Sequence, residues 1–388
     1  MIRKEMLSNQ ALSAHALFFD DVHRNLIFAR DKDNRPAGRY AIIPEGCHVH
    51  ENGDVTFSFY APDAKSVQVA GLGGGFSNVR NDMTRGEDGW WHVTVSGIDS
   101  GFHYHEYFVD GTRALNPHAP YGYGCGRVIN FFEIPDKYSN FYLMHDVPHG
   151  TVRMDIYKSS VTGLYRNCFV YTPPSYEKSP SRRYPVLYLQ HGGGESETGW
   201  IWHGKINHIA DNLIADGAME EMIIVMNNGV AMPADDSAPA QMGWGLISDV
   251  LVKDCIPFID GKYRTIADRH SRAMAGLSMG GFQTQQTVFK YPEYFASAGL
   301  FSAHFQTENP SLRCEEMLAD KDKFNETFDL IFAGAGEFEQ VCEYNRETFR
   351  HLRESGINNL VFFATPGYHD WHVWRYCARE FLKLLFRR

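Results

Sequence analysis

The stretch Gly276-Leu277-Ser278-Met279-Gly280-Gly281 decides the fold, because it places a serine between glycines where a buried strand would pass into a helix. Residues 272–275 predict the strand that enters this turn, and residues 282–291 predict a helix that ends before Pro292. Small neighbours let strand and helix approach closely, so that the serine hydroxyl stands clear of the sheet. The stretch therefore predicts a nucleophile elbow at Ser278.

Around this elbow, apolar runs alternate with amphipathic helical stretches through residues 153–388. The predicted strands are residues 167–171, 186–190, 222–226, 272–275, 298–301, 329–333 and 360–363, and the predicted helices are residues 205–216, 247–263, 282–291, 341–354 and 371–386. Strands that are apolar on both faces and alternate with helices are typical of a doubly wound, mainly parallel sheet. With the elbow, this pattern predicts an α/β-hydrolase catalytic domain.

The partners of Ser278 are expected downstream, because the α/β-hydrolase order is serine, acid, histidine. A serine hydroxyl needs a base, and the base needs a carboxylate to hold its tautomer. His369 follows the strand 360–363 and is the predicted general base. Glu337 and Glu339 both follow the strand 329–333, and we predict Glu337 as the acid because it is nearer the strand end. Glu339 is the alternative if the loop is longer.

Two backbone N–H groups are predicted to form the oxyanion hole. Met279 follows the nucleophile at the positive end of a helix. The loop His191-Gly192-Gly193-Gly194 follows the strand 186–190 and leaves the backbone open to substrate, with Gly193 favoured as the second donor. This loop lacks the Gly-Lys-Ser/Thr ending of a phosphate-binding loop.

The substrate-binding residues are predicted from aromatic side chains near strand ends. Trp200 and Trp244 are the preferred pocket walls, although some tryptophans of this group will fill the core instead. Gly192 and His372 are predicted to line the same site. The long segment 227–245 follows a strand end and is expected to form a lid or the rim of the acyl pocket.

In the first part of the chain, apolar and polar residues alternate with a period of two. Residues 45–140 contain short alternating runs at 55–60, 66–70, 90–95 and 104–109, separated by turn residues, which predict an antiparallel β-sandwich. Residues 1–44 are a predicted N-terminal extension, and residues 141–152 a predicted linker to the catalytic domain.

The composition of the chain limits the classes of binding partner that can be expected. The 388 residues suit two domains, and the formal charge of −10 argues against nucleic acid. No apolar run is long enough to span a membrane. The seven cysteines include no C-x-x-C, and the histidines lack zinc-site spacing, so no metal and no cofactor are predicted. We expect a cytoplasmic protein, or a secreted one if an export signal has been removed, and an oligomer is compatible with the sequence.

The sandwich segment resembles the small immunoglobulin-like module called carbohydrate-binding module family 48. The resemblance is carried by Tyr60-Ala61-Pro62, Trp90-Trp91, the run from Gly101 to Gly111, and Asn116-Pro117. It implies a module associated with glycans, or one that serves only as a packing partner. Trp90 and Trp91 leave two interpretations open, a strand with a ring in the core and a platform for sugar stacking.

The catalytic segment resembles the esterase D-like family, carbohydrate esterase family 1. The matching motifs are Val186 to Gly194 with Trp200, Ile256 to Arg264 with Ala267-Asp268-Arg269, Arg272 to Gly281, and Gly367 to Arg375. The resemblance implies Ser278 as nucleophile and His369 as base. The family usually has aspartate at the position of Glu337, so glutamate departs from its pattern.

The function implied by these resemblances is that of a feruloyl esterase, which releases hydroxycinnamic acids from arabinoxylan or its oligosaccharides through an acyl-enzyme. An acetyl xylan esterase and a siderophore esterase are the alternatives within the same chemistry. A glycan-binding scaffold with an inactive hydrolase domain is the alternative of a different class. The sequence leaves the acyl specificity open.

Overall fold

The computed structural model describes residues 44–136, 139–234 and 246–387, together with the backbone of the antiparallel strands β1 (Leu26–Arg30) and β2 (Pro36–Ile42). The chain divides into two units between Met144 and His145, inside the segment 141–152 that was predicted as a linker. Trp244 and residues 235–245 of the predicted rim segment lie outside the described residues.

The first unit contains two antiparallel sheets, as the alternating sequence pattern predicts. The strands are β3 (Cys47–Val49), β4 (Val55–Tyr60), β5 (Val67–Gly71), β6 (Asn81–Asp82), β7 (Thr84–Arg85), β8 (Trp90–Val95), β9 (Gly101–Val109), β10 (Thr112–Ala114), β11 (Tyr121–Gly124) and β12 (Arg127–Ile134). One sheet has the order β3-β4-β8-β7, and the other has the order β11-β12-β9-β5-β6 with β10 paired to β9. The predicted N-terminal antiparallel β-sandwich is confirmed.

Both tryptophans of β8 are buried. Trp90 is 8% exposed and Trp91 is 7% exposed. The Nε1–H of Trp91 donates a hydrogen bond to the carbonyl oxygen of Ala61 at 2.8 Å, and the ring of Trp90 contacts the rings of Tyr60 and His118. This burial favours the packing interpretation of the two rings over a sugar-stacking platform.

The second unit is built on one eight-stranded sheet. Its strands are β13 (Thr151–Lys158), β14 (Tyr165–Thr172), β15 (Val186–Gln190), β16 (Ile223–Asn227), β17 (Arg272–Leu277), β18 (Ser297–Phe301), β19 (Leu330–Gly336) and β20 (Leu360–Thr365). They lie in the order β13-β14-β16-β15-β17-β18-β19-β20. Strands β13, β14 and β16 pair antiparallel, and all pairs from β16 to β20 are parallel. The predicted α/β class is confirmed.

Helices connect these strands. They are α1 (Gly199–Trp202), α2 (Ile206–Ala215), α3 (Leu246–Val250), α4 (Ile256–Lys262), α5 (Met279–Lys290), α6 (Cys314–Ala319), α7 (Lys321–Thr327), α8 (Gln340–Glu354) and α9 (Trp371–Leu384). A π-helical segment, Leu251–Cys255, joins α3 to α4, and 3₁₀ turns occupy Arg269–Ser271 and Pro310–Leu312. Among the described residues, no helix combines the length and the apolar character that crossing a bilayer requires.

The carboxyl ends of the parallel strands collect the predicted catalytic residues. Ser278 follows β17, the two glutamates follow β19, and His369 lies in the loop between β20 and α9. The glycine loop 191–194 follows β15, which pairs with β17 on the side away from β18. Ligands of open α/β sheets bind at this edge, so the fold places the candidate site there.

Candidate active site

Ser278 occupies a strained turn between β17 and α5. Its backbone has φ 51° and ψ −115°, a conformation that side-chain-bearing residues rarely adopt. The flanking glycines are required by space: a Cβ on Gly276 would lie 2.5 Å from the backbone of Gly280, and one on Gly280 would lie 2.6 Å from the carbonyl oxygen of His191. The predicted nucleophile elbow is therefore present in its strand–turn–helix context.

His369 is held by a carboxylate, and that carboxylate belongs to Glu339. The Nδ1 of His369 lies 2.6 Å from Oε2 of Glu339, whose side chain is 6% exposed. The other carboxylate oxygen, Oε1, accepts hydrogen bonds from the Ser302 hydroxyl and from the Gly336 N–H, each at 2.7 Å. Glu339 is thus fixed at both oxygens, and it orients the imidazole through one of them.

The prediction of Glu337 as the acid is wrong, because the imidazole of His369 pairs with Glu339. The N–H of Glu337 donates to the carbonyl oxygen of Thr365 at 2.8 Å and so continues the pairing of β19 with β20. The residue is exposed, and within the described residues the imidazole of His369 pairs with Glu339 instead. The chain then turns, with the N–H of Glu339 bonded to the carbonyl oxygen of Gly336 at 3.0 Å, and this turn brings the second glutamate back over the strand ends.

Ser302 and Trp374 support the acid, a role that the sequence did not predict for either residue. Ser302 follows β18 with φ 50°, and its N–H donates to the carbonyl oxygen of Gly334 at 2.7 Å. The indole Nε1–H of Trp374 donates to the Ser302 hydroxyl at 3.0 Å, and the Trp374 ring meets the His369 ring edge-on at 5.2 Å. The signals in the sequence were the position of Ser302 directly after a predicted strand and the presence of Trp374 in the motif Gly367 to Arg375.

Strand β18 connects the nucleophile with the acid and base. The N–H of Ser278 donates to the carbonyl oxygen of Phe301 at 2.7 Å, and the next residue, Ser302, donates its hydroxyl hydrogen to Glu339. Consecutive residues of one strand end therefore hold both parts of the site. Because Nδ1 of His369 is engaged by Glu339, Nε2 is the ring nitrogen left to serve Ser278.

The glycine loop lies against the nucleophile. A Cβ on Gly192 would lie 3.5 Å from the Cβ of Ser278 and 2.4 Å from a side-chain carbon of Leu277. A Cβ on Gly193 would meet no atom within 4 Å, because this residue faces open space. The loop therefore brings an exposed backbone to the side of Ser278, as an oxyanion donor requires.

His191 fixes the orientation of this backbone. The imidazole is 1% exposed, its Nδ1 lies 2.7 Å from the carbonyl oxygen of Gly192, and its Nε2 accepts the N–H of Gly229 at 2.8 Å. These partners require a neutral ring with hydrogen on Nδ1, and burial lowers the pKa of His191 in agreement. In a trans peptide the N–H points opposite to the C=O, so this bond directs the N–H of Gly193 away from His191.

Met279 begins helix α5, where N–H groups have no intrahelical acceptor. Its N–H immediately follows the nucleophile and lies at the positive end of the helix dipole. This position suits the second oxyanion donor.

Trp200 does not form a wall of the site, because it is 1% exposed. Its Nε1–H donates to the carbonyl oxygen of Gln190 at 2.8 Å, and its ring packs edge-on against Trp371 at 5.2 Å. The prediction of Trp200 as a substrate contact is therefore wrong. His372 is half-buried on α9, with its ring 5.2 Å from that of Tyr376, and its role as a substrate contact stays a prediction.

Asp370 caps the helix that follows His369. Its carboxylate accepts the N–H of Val373 at 3.2 Å. Burial, with a smaller effect of the Glu339 charge, raises the pKa of Asp370 to about 6. This carboxyl group therefore titrates near pH 6, one residue from His369.

Comparison with known proteins identifies the family. Residues 159–378 match the family described as Putative esterase, which is more than half of the chain. The chain belongs to this esterase family. Residues 44–121 match the carbohydrate-binding module 48 described as the isoamylase N-terminal domain.

Curated relatives include an endo-1,4-beta-xylanase/feruloyl esterase of Xylanibacter ruminicola, 33% identical over 366 residues. That match covers 93% of this chain and 48% of the relative. An endo-1,4-beta-xylanase Y of Acetivibrio thermocellus is 28% identical over 250 residues, which are 57% of this chain and 22% of the relative. The chain thus spans half or less of the length of these relatives.

Solved structures agree with the fold. A ferulic acid esterase is 27% identical with a TM-score of 0.50, covering 61% of this chain and 97% of that structure. An enterobactin esterase of Shigella flexneri is 15% identical with a TM-score of 0.61, covering 85% of this chain and 92% of that structure. At this identity, the second likeness concerns the fold alone.

Proposed function

We propose that this esterase hydrolyses hydroxycinnamoyl esters, above all feruloyl esters of arabinoxylan or its oligosaccharides, through an acyl-enzyme. The observation that carries the proposal is the connected set Ser278, Ser302, Glu339 and His369 at one sheet edge. It brings a nucleophile, a base and a carboxylate to one edge of the sheet, and these are the three kinds of group that serine hydrolases use.

In the first half of the reaction, Oγ of Ser278 bonds to the ester carbonyl carbon while Nε2 of His369 takes the hydroxyl proton. The carbonyl electron pair moves onto oxygen, and the N–H groups of Met279 and Gly193 stabilise that oxyanion. When the carbonyl re-forms, the C–O bond to the alcohol breaks and His369 gives its proton to the leaving oxygen. The carboxylate of Glu339 stabilises the imidazolium that forms on His369.

In the second half, a water molecule takes the place of the alcohol. His369 accepts a proton from the water as its oxygen bonds to the acyl carbon, and it returns that proton to Oγ as the acyl–enzyme bond breaks. The products are the free carboxylic acid and the regenerated Ser278 hydroxyl. Among the described residues, no group of three or more His, Cys, Asp or Glu side chains could hold a metal ion.

The substrate class is supported by the relatives. The relative that matches over 93% of this chain is named a xylanase/feruloyl esterase, and one solved structure above 25% identity is a ferulic acid esterase. The match of residues 44–121 to a carbohydrate-binding module is consistent with an ester carried on a glycan.

A siderophore esterase is the second candidate, because enterobactin esterase structures cover 85% of this chain, more than the 61% covered by the ferulic acid esterase. An acetyl xylan esterase is the third. The three differ in acyl group: hydroxycinnamoyl, dihydroxybenzoyl-serine and acetyl.

The proposal is tested by measuring hydrolysis of methyl ferulate, p-nitrophenyl acetate and enterobactin by the full chain and by Ser278→Ala. We expect methyl ferulate to have the highest kcat/KM and Ser278→Ala to lose turnover by at least about 10³-fold. A preference for enterobactin or for acetate transfers the assignment to the corresponding candidate. Absence of turnover on all three esters supports the inactive scaffold.

A further inference from the structure

An aromatic pair, the exposed Phe338 and the half-buried Tyr368, lies beside the acid and base. Phe338 is 63% exposed, although large apolar side chains are usually withdrawn from water. Its ring lies 5.0 Å from the ring of Tyr368, with the planes inclined at 46°. The mechanism described above uses neither ring.

The chain fixes the pair next to the catalytic groups. Phe338 immediately precedes Glu339, and Tyr368 immediately precedes His369. The N–H of Phe338 donates to the carbonyl oxygen of Gly367 at 3.2 Å, which joins the loop after β19 to the loop after β20. The two rings therefore stand where these two loops meet, at the catalytic edge of the sheet.

The sheet order decides which half of the substrate they face. The loop with Gly193 follows β15, on one side of β17, whereas Phe338 and Tyr368 follow β19 and β20, on the other side. The ester alcohol must leave from a position within hydrogen-bond reach of His369, because this residue protonates it. The alcohol half of the substrate thus lies toward β19 and β20.

From this placement, which rests on the proposed function, we propose that Phe338 and Tyr368 form a platform that stacks the sugar ring carrying the esterified hydroxyl. A sugar ring presents a face of C–H groups, and such a face packs on an aromatic ring without needing a directed hydrogen bond. The pair is therefore a specificity determinant for the alcohol, separate from recognition of the acyl group.

The test compares two esters of the same acid. Methyl ferulate lacks the sugar, whereas a feruloylated arabinoxylan oligosaccharide carries it. We expect Phe338→Ala to lower the ratio of kcat/KM for the oligosaccharide ester to that for methyl ferulate by about three- to tenfold, mainly through KM. Phe338→Tyr keeps a ring at this position and should restore most of the ratio.

Leu384→Ala is the matched control. This side chain is 43% exposed and lines a cavity with Ser297 and Leu330, the first residues of β18 and β19, at the opposite edge of the sheet. Its removal takes away an exposed apolar group far from the site, and we expect both kcat/KM values to stay within about twofold of wild type.

A second measurement tests the same contact through product binding. The de-esterified oligosaccharide should inhibit methyl ferulate hydrolysis competitively, and Phe338→Ala should raise the inhibition constant by about three- to tenfold. Equal losses on both esters, or no change on either, would overturn the inference and leave the proposed function standing. If the wild-type enzyme hydrolyses neither ester, the proposed function fails, and the inference fails with it.

Discussion

Replacing Glu339 by glutamine tests the acid assignment most sharply, because the structure dictates how the new amide would orient. Oε1 accepts from the Gly336 N–H, which cannot become an acceptor, and from Ser302. In Glu339→Gln, the amide oxygen keeps this position and the NH₂ group faces Nδ1 of His369. The imidazole must then carry its hydrogen on Nε2, where it cannot accept the proton of Ser278.

The size of the effect follows from the alternative orientation. Turning the amide would place two donors against each other at Gly336 and leave a buried N–H unpaired, at a cost of about 1–3 kcal/mol. At this cost, between roughly one molecule in five and one in 150 has the turned amide, which is the orientation that permits catalysis. Even this orientation lacks the negative charge that stabilises the imidazolium. Together these effects predict a loss of kcat of about 10³- to 10⁴-fold, or about 4–5.5 kcal/mol.

The assay is release of ferulic acid from saturating methyl ferulate, with Glu337→Gln as the matched control. Glu337 is exposed, and its backbone bond to Thr365 survives the substitution, so we expect kcat to change by less than about twofold. A loss below tenfold in Glu339→Gln, or an equal loss in Glu337→Gln, would refute the assignment.

Three further predictions concern histidines and the helix cap. His191→Phe should lower kcat on methyl ferulate by about 10²-fold with little change in KM, because the N–H of Gly193 loses its fixed orientation; an unchanged kcat would contradict this role. The pKa of Asp370 is raised to about 6, so its contribution to stability is present at low pH and is lost as pH rises through 6. Against Asp370→Asn, the wild-type free energy of unfolding of the esterase unit should fall by about 1.3 kcal/mol between pH 5 and 7, measured in urea, and a pH-independent difference would be inconsistent with a raised pKa. Burial lowers the pKa of His105 to about 3, so the sandwich should lose about 2 kcal/mol between pH 7 and 5 by calorimetry, a loss that His105→Phe removes; equal losses in both proteins would exclude this histidine as the cause.

The elbow could be predicted because its requirements are local. Gly276 and Gly280 lie so close to backbone atoms that neither position has room for a Cβ. Only glycine fits such a position, so this steric requirement is visible in the sequence itself. Strand-end positions could likewise be read from apolar periodicity, so Ser278 and His369 were placed at the correct edge. The fold class followed from the same two signals.

Trp200 shows what periodicity cannot resolve. Its helix, α1, has only four residues, too few to reveal a buried face by spacing. The indole is buried by its hydrogen bond to the carbonyl oxygen of Gln190 and by its edge-on contact with the Trp371 ring. Both are tertiary contacts, and such contacts leave no periodic signal in the sequence. The sequence around Trp200 therefore could not distinguish a buried tryptophan from one that lines a pocket.

The acid was misplaced for a different reason. Sheet pairing continues one residue past β19, to Glu337, and it holds that residue extended beside Thr365. A carboxylate can reach His369 only after the following turn, where Glu339 begins to face back across the strand ends. From there Oε1 accepts hydrogen bonds from Gly336 and Ser302 while Oε2 meets the imidazole, so one carboxylate joins the strand ends to the base. Because the pairing extends beyond the predicted strand end, counting residues from that end could not have located the acid.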